Sequence, residues 1–220
     1  MWGEPQTLED ICTVFQRFLQ EDTVVKRMPW SESTEMSLET VSIRSQLLML
    51  NGNAIFTINS QPAVAGVPST DAVFGWGGAG GYVYQKAYVE FFINPKRMGM
   101  LEQILAKFPS LSYIAMNKDG DLKTNLNVKE EQQVIAVTWG VFPNKEILQP
   151  TVMDSNSFPI WKDEAFSLWK SEWGALYEPE SASSKLIEDI HDSWWLVDLV
   201  DNDFVNGDIF KPFFELLWSS

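Results

Sequence analysis

The fold of this 220-residue chain is decided by the stretch YVYQKAYVEFF, which runs from Tyr82 to Phe92. Apolar and aromatic residues occupy both its odd and its even positions, so both faces of an extended segment are apolar. A strand of that kind is buried on both sides, as in the centre of a sheet. We therefore expect residues 82–92 to form one long central strand.

The residues before this stretch predict two helices and a strand. Thr7 is suited to cap a first helix, whose apolar residues recur at helical spacing up to Leu19. A second helix is expected from near Ser37, with a left-handed stop at Asn51-Gly52. Residues 54–59 alternate as a strand does, and residues 60–81 are rich in Pro, Gly and Ser, which predicts a long irregular segment.

The residues after it mix helices and strands without strict alternation. Asn94-Pro95 is typical of a helix start, and Asp119-Gly120 of a turn between two strands. Further strands are expected over 111–116, from Leu122 onward, and over 134–142 and 194–200, with helices over 161–177, 184–190 and near the C-terminus. This order favours an α+β fold with mixed sheets, and we see one domain over residues 1–220.

Composition and charge argue against several classes of protein. The net charge is −14, with 16 Lys and Arg against 30 Asp and Glu, so the basic surface of a nucleic-acid binder is not expected. No apolar run approaches the roughly 18 to 20 residues of a membrane span. With one Cys and one His, neither a disulfide nor an ordinary zinc site is expected. We therefore expect a cytoplasmic protein without membrane, nucleic-acid or metal partners.

The most conspicuous motif is a glycine-rich run. Gly75 to Gly80 matches the dinucleotide fingerprint GxGxxG, which works only after a strand and at the start of a helix. Here a loop precedes the run and a strand follows it, so a structural turn is favoured over a phosphate site. Residues 119–121 and 201–203 resemble fragments of calcium loops, but the other ligands of such a loop are missing and turns are favoured.

No catalytic nucleophile with a neighbouring base is evident, so no catalytic residue is assigned. What stands out instead is a set of hydroxyls and one carboxylate near the predicted ends of strands and helices. Such groups can bind the carboxylate, ribose or base of a ligand, although Thr in strands is common without any ligand. Both interpretations stay open for Glu39, Thr40, Thr57, Ser60, Thr138 and Thr151.

Several longer strings in one order resemble a known family. They include FTINSQP, GGYVYQKAYVEFF, AVTWGVFP, QPTV, WKDEAF and LVDNDF, which lie at residues 56–62, 80–92, 136–143, 149–152, 161–166 and 199–204. Together they resemble the C-terminal regulatory domain of eukaryotic methylenetetrahydrofolate reductase, in order from about Met1 to Phe213. Single strings of this length are weak signals, whereas six in the same order are specific.

The resemblance implies an α+β fold with two sheets side by side, surrounded by helices. It also implies a module that binds S-adenosylmethionine, or S-adenosylhomocysteine in competition, and controls NAD(P)H-dependent reduction of methylenetetrahydrofolate by a separate catalytic barrel. The family's effector-binding positions fall on Glu39, Thr40, Thr57, Ser60, Thr138 and Thr151. FAD belongs to the barrel, so no cofactor is expected in these 220 residues, and a homodimer is expected.

Two alternatives remain beside this interpretation. The segment that joins barrel and regulatory domain is not among these residues, and in the family it contributes to the effector pocket. The chain is therefore alternatively a homodimerisation scaffold with an incomplete or inactive effector site. A stand-alone enzyme that uses acidic residues is the third hypothesis, which a composition with one His does not favour.

Overall fold

The computed structural model describes residues 5–22, 36–75, 80–125, 139–142, 182–201 and 210–219. The helices are α1 (Leu8–Leu19), a 3-10 helix (Leu38–Ser42), α2 (Arg44–Gly52), α3 (Pro95–Leu105), α4 (Ala182–Ser193) and α5 (Phe210–Ser219). The strands are β1 (Phe56–Gln61), β2 (Val64–Pro68), β3 (Tyr82–Gln85), β4 (Tyr88–Ile93), β5 (Leu111–Met116), β6 (Leu122–Thr124), β7 (Trp139–Phe142) and β8 (Trp195–Asp201).

The strands form two antiparallel sheets, which confirms the expected α+β fold with two sheets. The larger has the order β1-β4-β8-β5-β6 and the smaller the order β2-β3-β7. Every described strand pair is antiparallel, where mixed sheets were expected. The reason is the position of β8. β4 and β5 run in the same direction across α3, but β8 lies between them and is antiparallel to both.

The stretch from Tyr82 to Phe92 is two strands rather than the predicted one. β3 is the middle strand of the smaller sheet, and β4 is an inner strand of the larger sheet. The chain crosses from one sheet to the other at Lys86-Ala87, where the Ala87 carbonyl accepts a hydrogen bond from the Asp201 amide at 2.9 Å. The apolar pattern continues through the crossing because both strands are buried, so periodicity does not reveal the break.

Helix α1 begins as the sequence predicts. The Thr7 hydroxyl accepts from the Asp10 amide at 3.2 Å, and the Asp10 carboxylate accepts from the Thr7 amide at 3.0 Å, which together form a capping box. Its buried face includes Phe15, whose ring lies edge-on to that of Phe56 with centroids 6.4 Å apart. Burying one such side chain contributes about 1.5 to 3 kcal/mol.

The core lies between the larger sheet and its helices. Helix α5 packs against α2 and α3, and its residues Phe213 and Phe214 are buried. The rings of Phe213 and Phe108 meet edge-on with centroids 5.6 Å apart. On the sheet, Phe91 and Phe92 are both fully buried although they point to opposite faces, so the centre of β4 is covered on both sides.

Two local predictions need correction. The expected second helix is a 3-10 helix followed by α2, and its left-handed stop is Ala54, with a φ of 56°, instead of Asn51-Gly52. The segment expected to be irregular contains β2. The helix expected over 161–177 lies outside the described residues. Among the helices that the structure describes, none is long and apolar enough to cross a membrane.

Candidate functional site

A chain of polar side chains connects the 3-10 helix to the ends of β1 and β3. The Gln61 amide donates to Oε1 of Glu39 at 2.9 Å, and the Gln85 amide donates to Oε1 of Gln61 at 3.1 Å. The same Gln85 nitrogen donates to the Pro62 carbonyl at 2.7 Å. We call Glu39, Gln61 and Gln85 the amide relay. It brings a predicted site residue, Glu39, to the corner where the two sheets meet.

Thr40 and Ser60 flank relay residues in the sequence, but the Ser60 side chain points to the opposite face of β1 from that of Gln61. Each is adjacent in sequence to a relay residue, and each is half-buried. The backbone of Thr40 is engaged within its turn, with its amide on the Ser37 carbonyl, and the Ser60 amide donates to Oδ1 of Asn59 at 2.9 Å. Within the described part of the chain, neither hydroxyl makes a hydrogen bond. Both hydroxyls are therefore available to a ligand.

Thr57 has a different environment from these two residues. Its side chain is buried, and its hydroxyl accepts a hydrogen bond from the Asn51 amide at 2.7 Å. The same Asn51 nitrogen donates to the Leu47 carbonyl at 2.9 Å, which ties β1 to the last turn of α2. Thr57 lies opposite Phe91 and Ser60 opposite Val89, so both point to the same face of the sheet.

Thr138 and Thr151, the other two predicted site residues, lie outside the described residues. The described strand β7 begins at Trp139, the residue that follows Thr138 in the sequence. Trp139 is the register partner of Gln85 on β3. Gln85 of the relay therefore pairs with β7, whose first residue follows Thr138 in the sequence.

The face of the larger sheet that carries Gln61, opposite to that of Thr57 and Ser60, also carries a second polar cluster. Asn59, Glu90 and Asp198 are register partners on β1, β4 and β8, so their side chains share one face. Glu90 and Asp198 are only 7% and 6% exposed. We call these two residues the carboxyl pair. Asn59 hydrogen-bonds to Glu90, and no described cation forms an ion pair with either acid.

Burial dominates the electrostatics of the carboxyl pair. It raises the pKa of Glu90 to about 8, with a further rise from the Asp198 charge and a smaller opposing effect from the Asn59 hydrogen bond. Burial also raises the pKa of Asp198 to about 7. The pKa of Tyr88 is raised by burial first, and then by the Asp198, Glu90 and Glu39 carboxylates. At neutral pH the pair therefore holds protons that isolated acids release.

The described parts of two remaining motifs have structural explanations, while residues 76–79 of the glycine-rich run lie outside the described residues. A Cβ at Gly75 would lie 2.3 Å from the Asp71 carbonyl oxygen, so glycine is required there by the close approach of backbone. Near Asp119, Oδ1 of Asn117 accepts from the amides of Asp119 and Asp121, as in an ordinary turn. Asn202 and Asp203 lie outside the described residues. No group of three or more potential metal ligands occurs among the residues that the structure describes.

Comparison with known proteins supplies the identification. Residues 1–217 match the family model described as "MTHFR, SAM-binding regulatory domain". Methylenetetrahydrofolate reductase (NADH) 1 of Zea mays is 47% identical over 213 residues, which cover 96% of this chain and 35% of that protein. The chain belongs to this family. It spans about a third of the length of such relatives and matches the regulatory domain.

Other relatives of known name agree with this placement. Methylenetetrahydrofolate reductase (NADH) 1 of Arabidopsis thaliana is 45% identical over 213 residues, covering 96% of this chain and 35% of that protein. Methylenetetrahydrofolate reductase 1 of Schizosaccharomyces pombe is 47% identical over 206 residues, covering 94% and 33%. These names are those of reductases, so the resemblance read from the sequence strings is confirmed at the level of the family.

Sequence reasoning missed Gln61, Gln85 and the carboxyl pair. For Gln61 and Gln85 the sequence carries no clear signal, because a Gln at a strand end is common on surfaces. Glu90 and Asp198 do carry one, since Glu90 is the one acid of β4 and Asp198 lies between apolar residues in the middle of β8. An acid at such a position is either exposed or buried with a raised pKa, and only the packing decides between the two.

Proposed function

We propose that this chain is an effector module that binds S-adenosylmethionine, with S-adenosylhomocysteine as its competitor, and controls a methylenetetrahydrofolate reductase barrel. The family to which it belongs is described as SAM-binding, which supports the class of ligand. The observation that carries the proposal is the Glu39 carboxylate, which the Gln61 amide holds at one oxygen beside the end of β1, next to a Thr40 hydroxyl that is not hydrogen-bonded to described residues.

The chemistry of this corner suits the proposed ligand. Glu39 accepts hydrogen bonds only, so it is complementary to the ammonium of the effector or to its ribose hydroxyls. The hydroxyls of Thr40 and Ser60 both donate and accept, which suits the carboxylate or the base. Thr138 and Thr151 complete the proposed set on the strength of the family resemblance. The role of Thr57 is proposed to be support of this wall through Asn51.

Calorimetric titration with S-adenosylmethionine tests this proposal. We expect saturable binding that weakens more than tenfold in Glu39→Ala, because a charge-assisted hydrogen bond to the ligand is lost. Ser60→Ala is expected to weaken binding several-fold. Glu9→Ala is the matched control: it removes an exposed carboxylate on α1, and its affinity should equal that of the wild type. A folded wild-type chain that gives no binding heat, and none in dialysis with labelled effector, contradicts the proposal.

The scaffold interpretation also has an observation in its favour. Leu38 and Val41 lie on the 3-10 helix next to the candidate site and are 67% and 54% exposed. Apolar side chains at such exposure are common at surfaces that contact another chain or domain. We propose a homodimer, which sedimentation at several concentrations tests. Saturable effector binding together with a monomer in solution would favour the effector module over the scaffold.

A further inference from the structure

We infer that a cavity at the end of the larger sheet remote from the proposed effector site binds a small aromatic monocarboxylate. The cavity has a volume of about 570 Å³, within the roughly 300 to 1,000 Å³ that is usual for small-molecule sites. It lies where β1 begins and β4 ends. Ile55 borders it and is six residues along the chain from Gln61, which corresponds to about 20 Å of extended strand. The cavity is therefore a second site, and the inference does not depend on the proposed function.

The floor of the cavity is apolar. Leu8 of α1, Ile55 before β1 and Ile93 at the end of β4 line it, and all three are buried. Leu186 of α4 and the half-buried indole of Trp194 line it as well. A flat apolar body can lie on such a surface and stack on the indole ring. The floor therefore favours an aromatic ligand over a small polar one.

One short segment supplies hydrogen-bond donors at the rim of the cavity. Oδ1 of Asn94 accepts from the Lys96 amide at 3.0 Å, which caps helix α3. The other end of the Asn94 side chain is its amide nitrogen, which donates to no described residue. Because these groups line the cavity and Asn94 is half-buried, a ligand there can accept a hydrogen bond from the Asn94 amide.

Two cations follow Asn94 at the same rim. Lys96 and Arg97 line the cavity, and neither forms an ion pair with a described residue. Nη1 of Arg97 donates to the Asn53 carbonyl at 3.4 Å, a long contact at an exposed position. Asn94, Lys96 and Arg97 therefore present donors from one side of the cavity. Their complement is a group that only accepts, such as a carboxylate.

The charges around the cavity select among anions. Lys96 and Arg97 contribute two positive charges and Glu9 of α1 one negative charge, which leaves a local charge of +1 in a chain with a net charge of −14. A monocarboxylate balances this charge. A phosphate monoester carries a charge of about −1.5 to −2 at neutral pH, and its excess negative charge would lie near Glu9. The ligand class is therefore an aromatic ring with a single carboxylate.

Titration of the 220-residue chain with 2-naphthoate tests the inference, with calorimetry and the indole N–H resonance of Trp194 as readouts. We expect saturable binding with a dissociation constant on the order of 1 mM or below, and a shift of that resonance. The neutral analogue 2-naphthamide keeps the rings and loses the charge, so it should bind at least about fivefold more weakly. Acetate, which lacks the rings, should give no saturable binding.

Substitutions at the rim separate the proposed site from general charge effects. Lys96→Gln combined with Arg97→Gln should weaken 2-naphthoate binding at least about tenfold, and both side chains are exposed, so the fold is retained. Lys107→Gln, an exposed cation beyond the other end of α3, is the matched control and should leave the affinity unchanged. Glu39→Ala should also leave it unchanged, because Glu39 belongs to the proposed effector site.

Several outcomes would overturn the inference. Equal affinity for 2-naphthoate and 2-naphthamide would show that the carboxylate is not recognised. An unchanged affinity in the double variant, or an equal loss in Lys107→Gln, would show that Lys96 and Arg97 do not hold it. Loss of binding in Glu39→Ala would mean that the probe occupies the effector site instead. The proposed function is tested separately by S-adenosylmethionine, so each of these results leaves it standing.

Discussion

The amide relay and the carboxyl pair are two polar clusters at the larger sheet that meet the cost of burial in different ways. In the relay, two neutral amides each donate to an acceptor, and the chain of hydrogen bonds ends at the half-buried Glu39 carboxylate. In the carboxyl pair, two acids face each other across β4 and β8, and Oδ1 of Asp198 has no hydrogen-bond partner in the described structure. The polar groups of the relay are satisfied by hydrogen bonds, whereas the buried acids of the carboxyl pair are stabilised by remaining protonated.

This difference separates two properties of the domain. Amides do not titrate, so we expect the relay to keep its geometry across the physiological pH range. The carboxyl pair has pKa values of about 8 and about 7, so its protonation changes in that same range. Stability is therefore expected to depend on pH through the centre of the sheet, while the orientation of Glu39 does not.

The largest expected effect is the pH dependence of stability. Both acids have folded-state pKa values above the ordinary values of 4.5 and 3.8, so the native state binds more protons than the unfolded state. The stability is complete below about pH 4 and is lost as pH rises through about 7 and 8. Between pH 6 and pH 8.5 we expect the free energy of unfolding in urea to fall by about 2 to 4 kcal/mol.

The variant Asp198→Asn isolates the contribution of the pair. It removes one of the two titrating acids and the charge that raises the pKa of Glu90, so roughly a third or more of the pH-dependent loss should disappear. Asp189→Asn, an exposed acid on α4, should leave the profile of the wild type unchanged. Equal slopes for Asp198→Asn and the wild type would show that the pair is not the source of the pH dependence.

A smaller effect that is independent of pH is expected at a buried amide. Asn51→Ala removes the donor to the Leu47 carbonyl and to the Thr57 hydroxyl, which leaves buried acceptors unpaired. We expect a loss of about 2 kcal/mol in the free energy of unfolding at both pH 6 and pH 8.5. Asn53→Ala, whose amide donates to Met49 at a half-buried position, is the control and should cost less. A loss that changes with pH would contradict the assignment of pH sensitivity to the acids alone.

The smallest effect is expected for charges at the surface. Lys123 and Glu102 form an ion pair at 3.1 Å, with side chains 38% and 35% exposed. Solvent and salt screen such a pair, so Glu102→Gln should change the free energy of unfolding by about 0.5 kcal/mol or less. The change should shrink further in 0.5 M NaCl. If Glu102→Gln changed the free energy of unfolding as much as Asp198→Asn does, burial would not explain why buried and exposed carboxylates differ in their contribution to stability.

The sequence predicted most of the elements that the structure describes. The capping box at Thr7 and the helix start at Asn94 involve residues two or three positions apart, so local pattern is enough to find them. It missed the break at Lys86-Ala87, because two buried strands in succession have the same apolar pattern as one. The prediction of mixed sheets was wrong. The sequence does not show that β8 inserts between β4 and β5, because these strands are distant in sequence.

The candidate site was predictable in part. Glu39, Thr40 and Ser60 were singled out from their places near predicted element ends and from the family resemblance, and the structure brings Glu39 to the strand end that also holds Ser60. Thr57 was predicted on the same basis, and the structure shows in addition its hydrogen bond to Asn51. Gln61 and Gln85 were not predicted, since the bond between them joins residues 24 positions apart and depends on how the two sheets meet.

The sequence by itself determined the class of fold, the local starts of helices and the family, because capping, periodicity and long motif strings are properties of short segments. Only the tertiary structure decided that residues 82–92 serve two sheets, that Glu39 is held by Gln61, and that Glu90 faces Asp198. The physical reason is that burial and hydrogen-bond partners depend on what lies across the sheet. A residue's own neighbours in the chain do not specify that environment.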